Sequence, residues 1–212
     1  MENTLKDFYR QVTDVIYVHF LWILTSFLGV LITFGAATTA LYKVIFQVFK
    51  KDEPTQVTKL FFETFVKEFK ESTIVWLILI LIVTPLIFMT FYAINQTNLF
   101  LLVASMVCLY HVVMLFTYVF PIIAIFKSNS IFETLKNTIL IQNRHLLTNL
   151  KLIGSLAIII LGILYLPNVF ILVLIPLYGF LVAFHLKNAL NPYVEKLKTS
   201  EYKGDDYELF KL

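Results

Sequence analysis

Long apolar runs alternate with short polar segments along this chain, and the alternation predicts helices of two kinds. Val15–Tyr42 holds 28 residues without Asp, Glu, Lys or Arg. A helix of that length rises about 42 Å, more than the roughly 30 Å of a bilayer core. No charge occurs over the 55 residues Ser72–Phe126 or the 35 residues Leu152–Leu186. The first of these is too long for one crossing, and Asn95-Gln96-Thr97-Asn98 is its only polar cluster, so a turn is expected there. In the second, Leu166-Pro167-Asn168 reads as a tight turn between two spans, with a re-entrant hairpin as the alternative. The pattern predicts an all-α polytopic membrane bundle, one domain over 1–212, with five spans near 15–37, 72–94, 99–126, 148–165 and 168–187. Pro85 and Pro121 fall inside such spans, where neighbouring helices can satisfy freed carbonyls.

The intervening segments are amphipathic. Over about 55–71, Val57, Leu60, Phe61, Phe65 and Phe69 share one helical face, opposite Lys59, Glu63, Lys67 and Lys70. That face suits the membrane surface, a partner, or this protein's own bundle. Over about 130–147, Ser130 and Glu133 match a capping box. Ile131, Leu135, Ile139, Leu146 and Leu150 line one side of the helix that follows. Asn191-Pro192 is expected to end the last helix and leave a flexible tail over 192–212. Gly35/Thr39 and Ala36/Ala40 are small residues four apart, a spacing that lets a second helix approach closely, within the chain or from a partner.

Composition agrees with the pattern: 59% of residues are hydrophobic and 15% charged, against about 25% charged in soluble domains. The charged residues are segregated, and no basic stripe of the kind nucleic-acid binding needs is present. The first 14 residues are not positively charged and the apolar run is too long for a signal peptide, so an uncleaved first span is expected. With five spans, 15 of the 17 basic residues fall on one face. The positive-inside rule then predicts a multi-pass membrane protein with its N-terminus outside and its C-terminus cytoplasmic.

Candidate chemistry is sparse. All 14 acidic residues lie outside the spans, which counts against a proton-coupled carrier, and no phosphate-binding glycine loop occurs. Cys108 is the single cysteine, so neither an internal disulfide nor a cysteine-based metal site is expected. His19, His111 and His185 fall at different depths and cannot readily share a metal. No catalytic residue, cofactor or metal is expected. His111, near Tyr110, Thr117 and Tyr118, is the best intramembrane polar position, either functional or a helix–helix hydrogen-bonding group.

Phe8-Tyr9-Arg10, LWILTSFLGVLITFG, AATTALYKV, FVKEFKES and the later IFETLKNTILIQNRHLLTNL resemble the YesL-like family, over nearly the whole chain. Ala36 stands where that family leads one to expect a proline. The resemblance implies a bacterial membrane protein often encoded beside carbohydrate ABC importers, and hence a non-enzymatic accessory or regulatory subunit. Its partners would be membrane lipids and importer permeases, met through Gly35–Ala40 and the two amphipathic helices. The alternatives are a homo-oligomeric transporter or channel, with His111, Thr117, Ser105 and Thr84 lining a path, and a membrane scaffold or sensor.

Overall fold

Two long helical hairpins carry the membrane character. In the computed structural model, which describes residues 2–29, 32–49, 56–128, 130–167 and 170–199, eight helices and no strand occur among the described residues. They are α1 (Glu2–Leu28), α2 (Phe34–Val48), α3 (Val57–Lys67), α4 (Phe69–Asn95), α5 (Leu99–Ile125), α6 (Ile131–Arg144), α7 (Leu146–Tyr165) and α8 (Ile171–Thr199). Among the described residues, four stretches are long and apolar enough to cross a bilayer: Phe69–Asn95, Leu99–Ile125, Leu146–Tyr165 and Val173–Glu195. The α4–α5 turn falls at the expected polar cluster. Thr97 adopts φ 49° there, a left-handed conformation that a β-branched residue rarely takes, and Asn98 caps α5 by accepting from Leu101 N–H at 3.0 Å. The Leu166-Pro167 turn likewise separates two helices of span length.

The first apolar run departs from expectation. It does not continue as one span over 15–37: α1 stops at Leu28, the chain turns, and α2 runs back antiparallel to α1. Gln11 Nε2 donates to the Val48 carbonyl at 3.2 Å and Trp22 Nε1 to Thr38 Oγ1 at 3.0 Å, which fixes the antiparallel register. Several polar groups at the described ends of the reversal are paired, which supports it in an apolar setting, although Ser26 Oγ is buried without a partner. Ile32 and Thr33 N–H both reach the Gly29 carbonyl, at 2.7 and 2.9 Å. Thr33 Oγ1 donates to the Thr25 carbonyl at 2.8 Å, serving one of the orphan carbonyls at the end of α1. From α4, Thr73 Oγ1 donates to the Ile32 carbonyl at 2.9 Å. Hydropathy reports that a segment avoids water; it carries no information about whether the segment turns.

α2 is the core helix, with 12 of its 15 residues buried. It packs against α1, α3, α4, α5 and α8. Phe34 opens it within an aromatic cluster, 4.6 Å from Trp76 and 5.6 Å from Trp22 between ring centroids. The face of α3 carrying Val57 and Phe61 is buried on this core, with Phe65 and Leu60 packed against it. α3 ends at Lys67 and α4 takes over after Glu68, so Phe69 belongs to the span. Ser130 caps α6 as expected, its Oγ accepting from Glu133 N–H at 3.2 Å. α6, however, buries Thr134, Thr138, Ile141 and Gln142 and leaves Ile139 exposed. α8 does not end at Asn191-Pro192 but runs on to Thr199. Pro192 sits on the exposed side of the helix, and Val194, two residues later and on the opposite side, is buried and holds the helix to the core. The rest of the expected tail, 200–212, lies outside the described residues.

Candidate functional site: a polar cleft where spans meet the basic face

The α5–α6 linker brings charged side chains together at the end of the bundle. α5 leaves its span at Ile125, and Phe126, Lys127 and Ser128 lead to the capped start of α6. A cleft of about 440 Å³ opens on one side of this linker. Ile122, Phe126, Leu140 and Ile141 form its apolar wall; Lys127, Ser128, Glu133, Thr134, Asn137, Arg144 and Tyr193 supply its polar groups. A smaller hollow of about 190 Å³ lies on the other side, again against Phe126 and Lys127, with Lys43, Glu63, Lys67 and Glu68 around it.

Hydrogen bonds hold the cleft in shape. Thr134 Oγ1 donates to Glu71 Oε1 at 2.6 Å, tying α6 to the first turn of α4. Beneath it, Tyr118 OH donates to Asn149 Oδ1 at 2.7 Å. Asn149 Nδ2 donates to the Gln142 carbonyl at 2.9 Å and to Tyr110 OH at 3.3 Å. One buried amide thus joins α5, α6 and α7 with both its oxygen and its nitrogen partnered, while the neighbouring Gln142 Oε1 is buried without a hydrogen-bond partner. His145 Nε2 lies 3.3 Å from Tyr193 OH at the break between α6 and α7. Burial lowers the His145 pKa, and neighbouring Arg144 adds to that effect. In the smaller hollow, burial pushes the Glu68 carboxyl up, with Lys67 opposing. Burial also pushes Lys43 down.

The sequence-derived candidates lie elsewhere. Ala36, Thr39 and Ala40 are fully buried at 0% exposure, and Gly35 packs on α4 beside Ser72. The small residues therefore serve a helix contact within the chain and present no outward surface. Phe61 is buried, and Phe65 and Phe69 are half-buried. Leu135 is half-buried, whereas Ile139 and Leu146 are exposed. His111 is exposed and donates from Nδ1 to the Val107 carbonyl of its own helix at 2.9 Å. Thr84, Ser105 and Thr117 likewise donate to carbonyls of their own helices. His19 is buried against α8, where Gly179 leaves room for its ring: a Cβ there would lie 3.1 Å from Cε1. His185 is near Ser155, at 3.3 Å. The histidines do not converge, and no group of three potential metal ligands occurs among the described residues.

Comparison with known proteins adds one finding. Residues 15–90 match the family model described as "Protein of unknown function, DUF624". The YesL-like proteins are a DUF624 family. The match spans the second half of α1, then α2, α3 and most of α4; the cleft's residues on α5, α6 and α8 lie beyond it. No curated protein and no solved structure matches the chain.

Proposed function

We propose that this protein is a non-enzymatic accessory or regulatory subunit of a bacterial cell membrane, of the YesL-like kind, that docks onto the permeases of a carbohydrate ABC importer. The observation that supports this reading is the division of its surface. The small residues of α2 and Phe61 of α3 face inward, whereas α1 and α3 keep Tyr9, Phe20, Phe27 and Phe62 exposed on their outer sides. The distal halves of α4 and α5 carry exposed Leu81, Phe88, Phe91, Phe100 and Met106. Docking therefore falls to the flank of α4–α5 and the outer face of α6–α7, not to Gly35–Ala40. The importer itself is taken from the resemblance of the sequence.

The topology we infer has four crossings. With α1 and α2 returning to the side they came from, the segments before α4, between α5 and α7, and after α8 share one face. Those segments carry 12 of the 17 basic residues, and the other five, Lys70, Lys151, Lys187, Lys196 and Lys198, lie in the halves of α4, α7 and α8 nearest them, which supports a cytoplasmic face that holds the start of α1 and the end of α8. The external N-terminus expected from five spans depended on a crossing that the α1–α2 fold-back removes.

Affinity purification of the tagged protein in mild detergent, with mass spectrometry of what accompanies it, tests the role. Stoichiometric permease subunits are the expected result. Recovery of the protein alone as a discrete oligomer, together with solute uptake in liposomes, would replace this reading by independent transport.

A further inference from the structure

We propose that the 440 Å³ cleft beside the α5–α6 linker binds the phosphodiester headgroup of an anionic, hydroxylated membrane lipid. Its volume falls in the roughly 300–1,000 Å³ range of small-molecule sites. Lys127 and Arg144 against Glu133 give the lining a net charge of +1, matching the single negative charge of a phosphodiester. The guanidinium of Arg144 suits two phosphate oxygens at once. Asn137 and Tyr193 add donors for the phosphate, while the Asn137 carbonyl and the Glu133 carboxylate can accept from headgroup hydroxyls; the Ser128 hydroxyl is already donated to the Ser130 carbonyl at 3.0 Å.

The position of the cleft selects a lipid over a soluble phosphate. It lies where α5 ends and α7 begins, so its level is that of lipid headgroups on the basic face. Leu140 belongs both to the cleft wall and to the outer surface, being 48% exposed. From it an exposed apolar surface continues over Leu146, Leu147 and Leu150 onto the outside of α7. A polar pocket opening onto an apolar flank fits a molecule with a charged head and acyl chains. This site is independent of the importer reading, since it requires no protein partner.

Native mass spectrometry of the full chain, released from micelles containing either phosphatidylglycerol or phosphatidylcholine, provides the test. Phosphatidylglycerol is expected to remain bound and phosphatidylcholine to dissociate. Arg144→Gln and Lys127→Gln are each expected to weaken retention about tenfold. Lys136→Gln, on the exposed side of the same helix outside the cleft, is expected to change it less than about twofold. Equal retention of both lipids, or an equal loss in Lys136→Gln, would overturn the proposal. So would glycerol 3-phosphate displacing phosphatidylglycerol from the unmodified protein, because the site would then be one for a soluble phosphate. That competition needs no variant, so a substitution that fails to fold does not remove the test.

Discussion

Gly35 of α2 lies directly against the backbone carbonyl of Ser72 in α4. A Cβ built at Gly35 would overlap that oxygen and sit 2.9 Å from Trp76 Cβ. One turn on, Thr39 and Ser72 share a hydroxyl hydrogen bond of 2.8 Å. The close approach and the bond depend on each other, because only a small residue lets the two backbones come near enough for short side chains to meet.

Gly35→Ala is therefore expected to push α2 from α4 and destabilise the fold by about 3 kcal/mol, at the upper end of overpacking costs. Gly154→Ala makes the contrast, since nothing lies within 4 Å of a Cβ there; relief of glycine's backbone entropy in α7 should stabilise by about 0.5–1 kcal/mol. Thermal unfolding in detergent measures both, and equal shifts would refute the packing argument.

Asn149 is the junction of three helices, and its loss strands several groups at once. Asn149→Leu leaves Tyr118 OH and the Gln142 carbonyl without the partners they have now. A cost of about 2–4 kcal/mol is expected, from one to three kcal/mol for each buried group left unpaired. Tyr118→Phe in the same background should then cost little more, and a double-mutant cycle reads that coupling.

Glu68 makes stability depend on pH. Burial raises its pKa above the usual 4.5, so the folded state holds the proton more tightly than the unfolded one. Its protonated form favours folding, and that contribution is lost as pH rises from about 4.5 through the raised value. Glu68→Gln is expected to be more stable than the parent at neutral pH, with the difference vanishing below the ordinary carboxylate range. A denaturation series over pH 4–8 checks the sign; a variant less stable at pH 7 would show that the attraction of Lys67 outweighs burial.

The fold-back can be tested by labelling. In a Cys108→Ser background, Asp7→Cys and Gln96→Cys place one thiol at each end of the structure. In intact cells an impermeant maleimide is expected to label position 96 and not position 7. Labelling of both would restore a crossing between α1 and α2.

Much of this fold is legible in the sequence where a polar signal interrupts an apolar one. Asn95–Asn98, Leu166-Pro167 and the Ser130 cap each mark an element end correctly. The α1–α2 reversal is not marked, because Gly29 is followed by apolar residues and the groups that make the turn possible, Thr25 and Thr73, come from other turns and helices. The direction of α6 was obscured for a similar reason: helical periodicity separates two faces, but the one carrying Thr134 and Thr138 turns inward because Glu71 waits there. The cleft residues Lys127, Arg144 and Tyr193 are separated by up to 66 positions, and the packing of α6 and α8 around α5 brings them together.

The hairpin of α1 and α2 also sets an order of assembly. It is synthesised before α4, α5 and α8, yet α2 is enclosed by them, and His19 rests on Gly179, 160 positions later. Sequence separations of that size make contacts slow to form. A hairpin made before its packing partners is thus among the last to be locked, and until α8 arrives its apolar faces have only lipid or a chaperone to cover them.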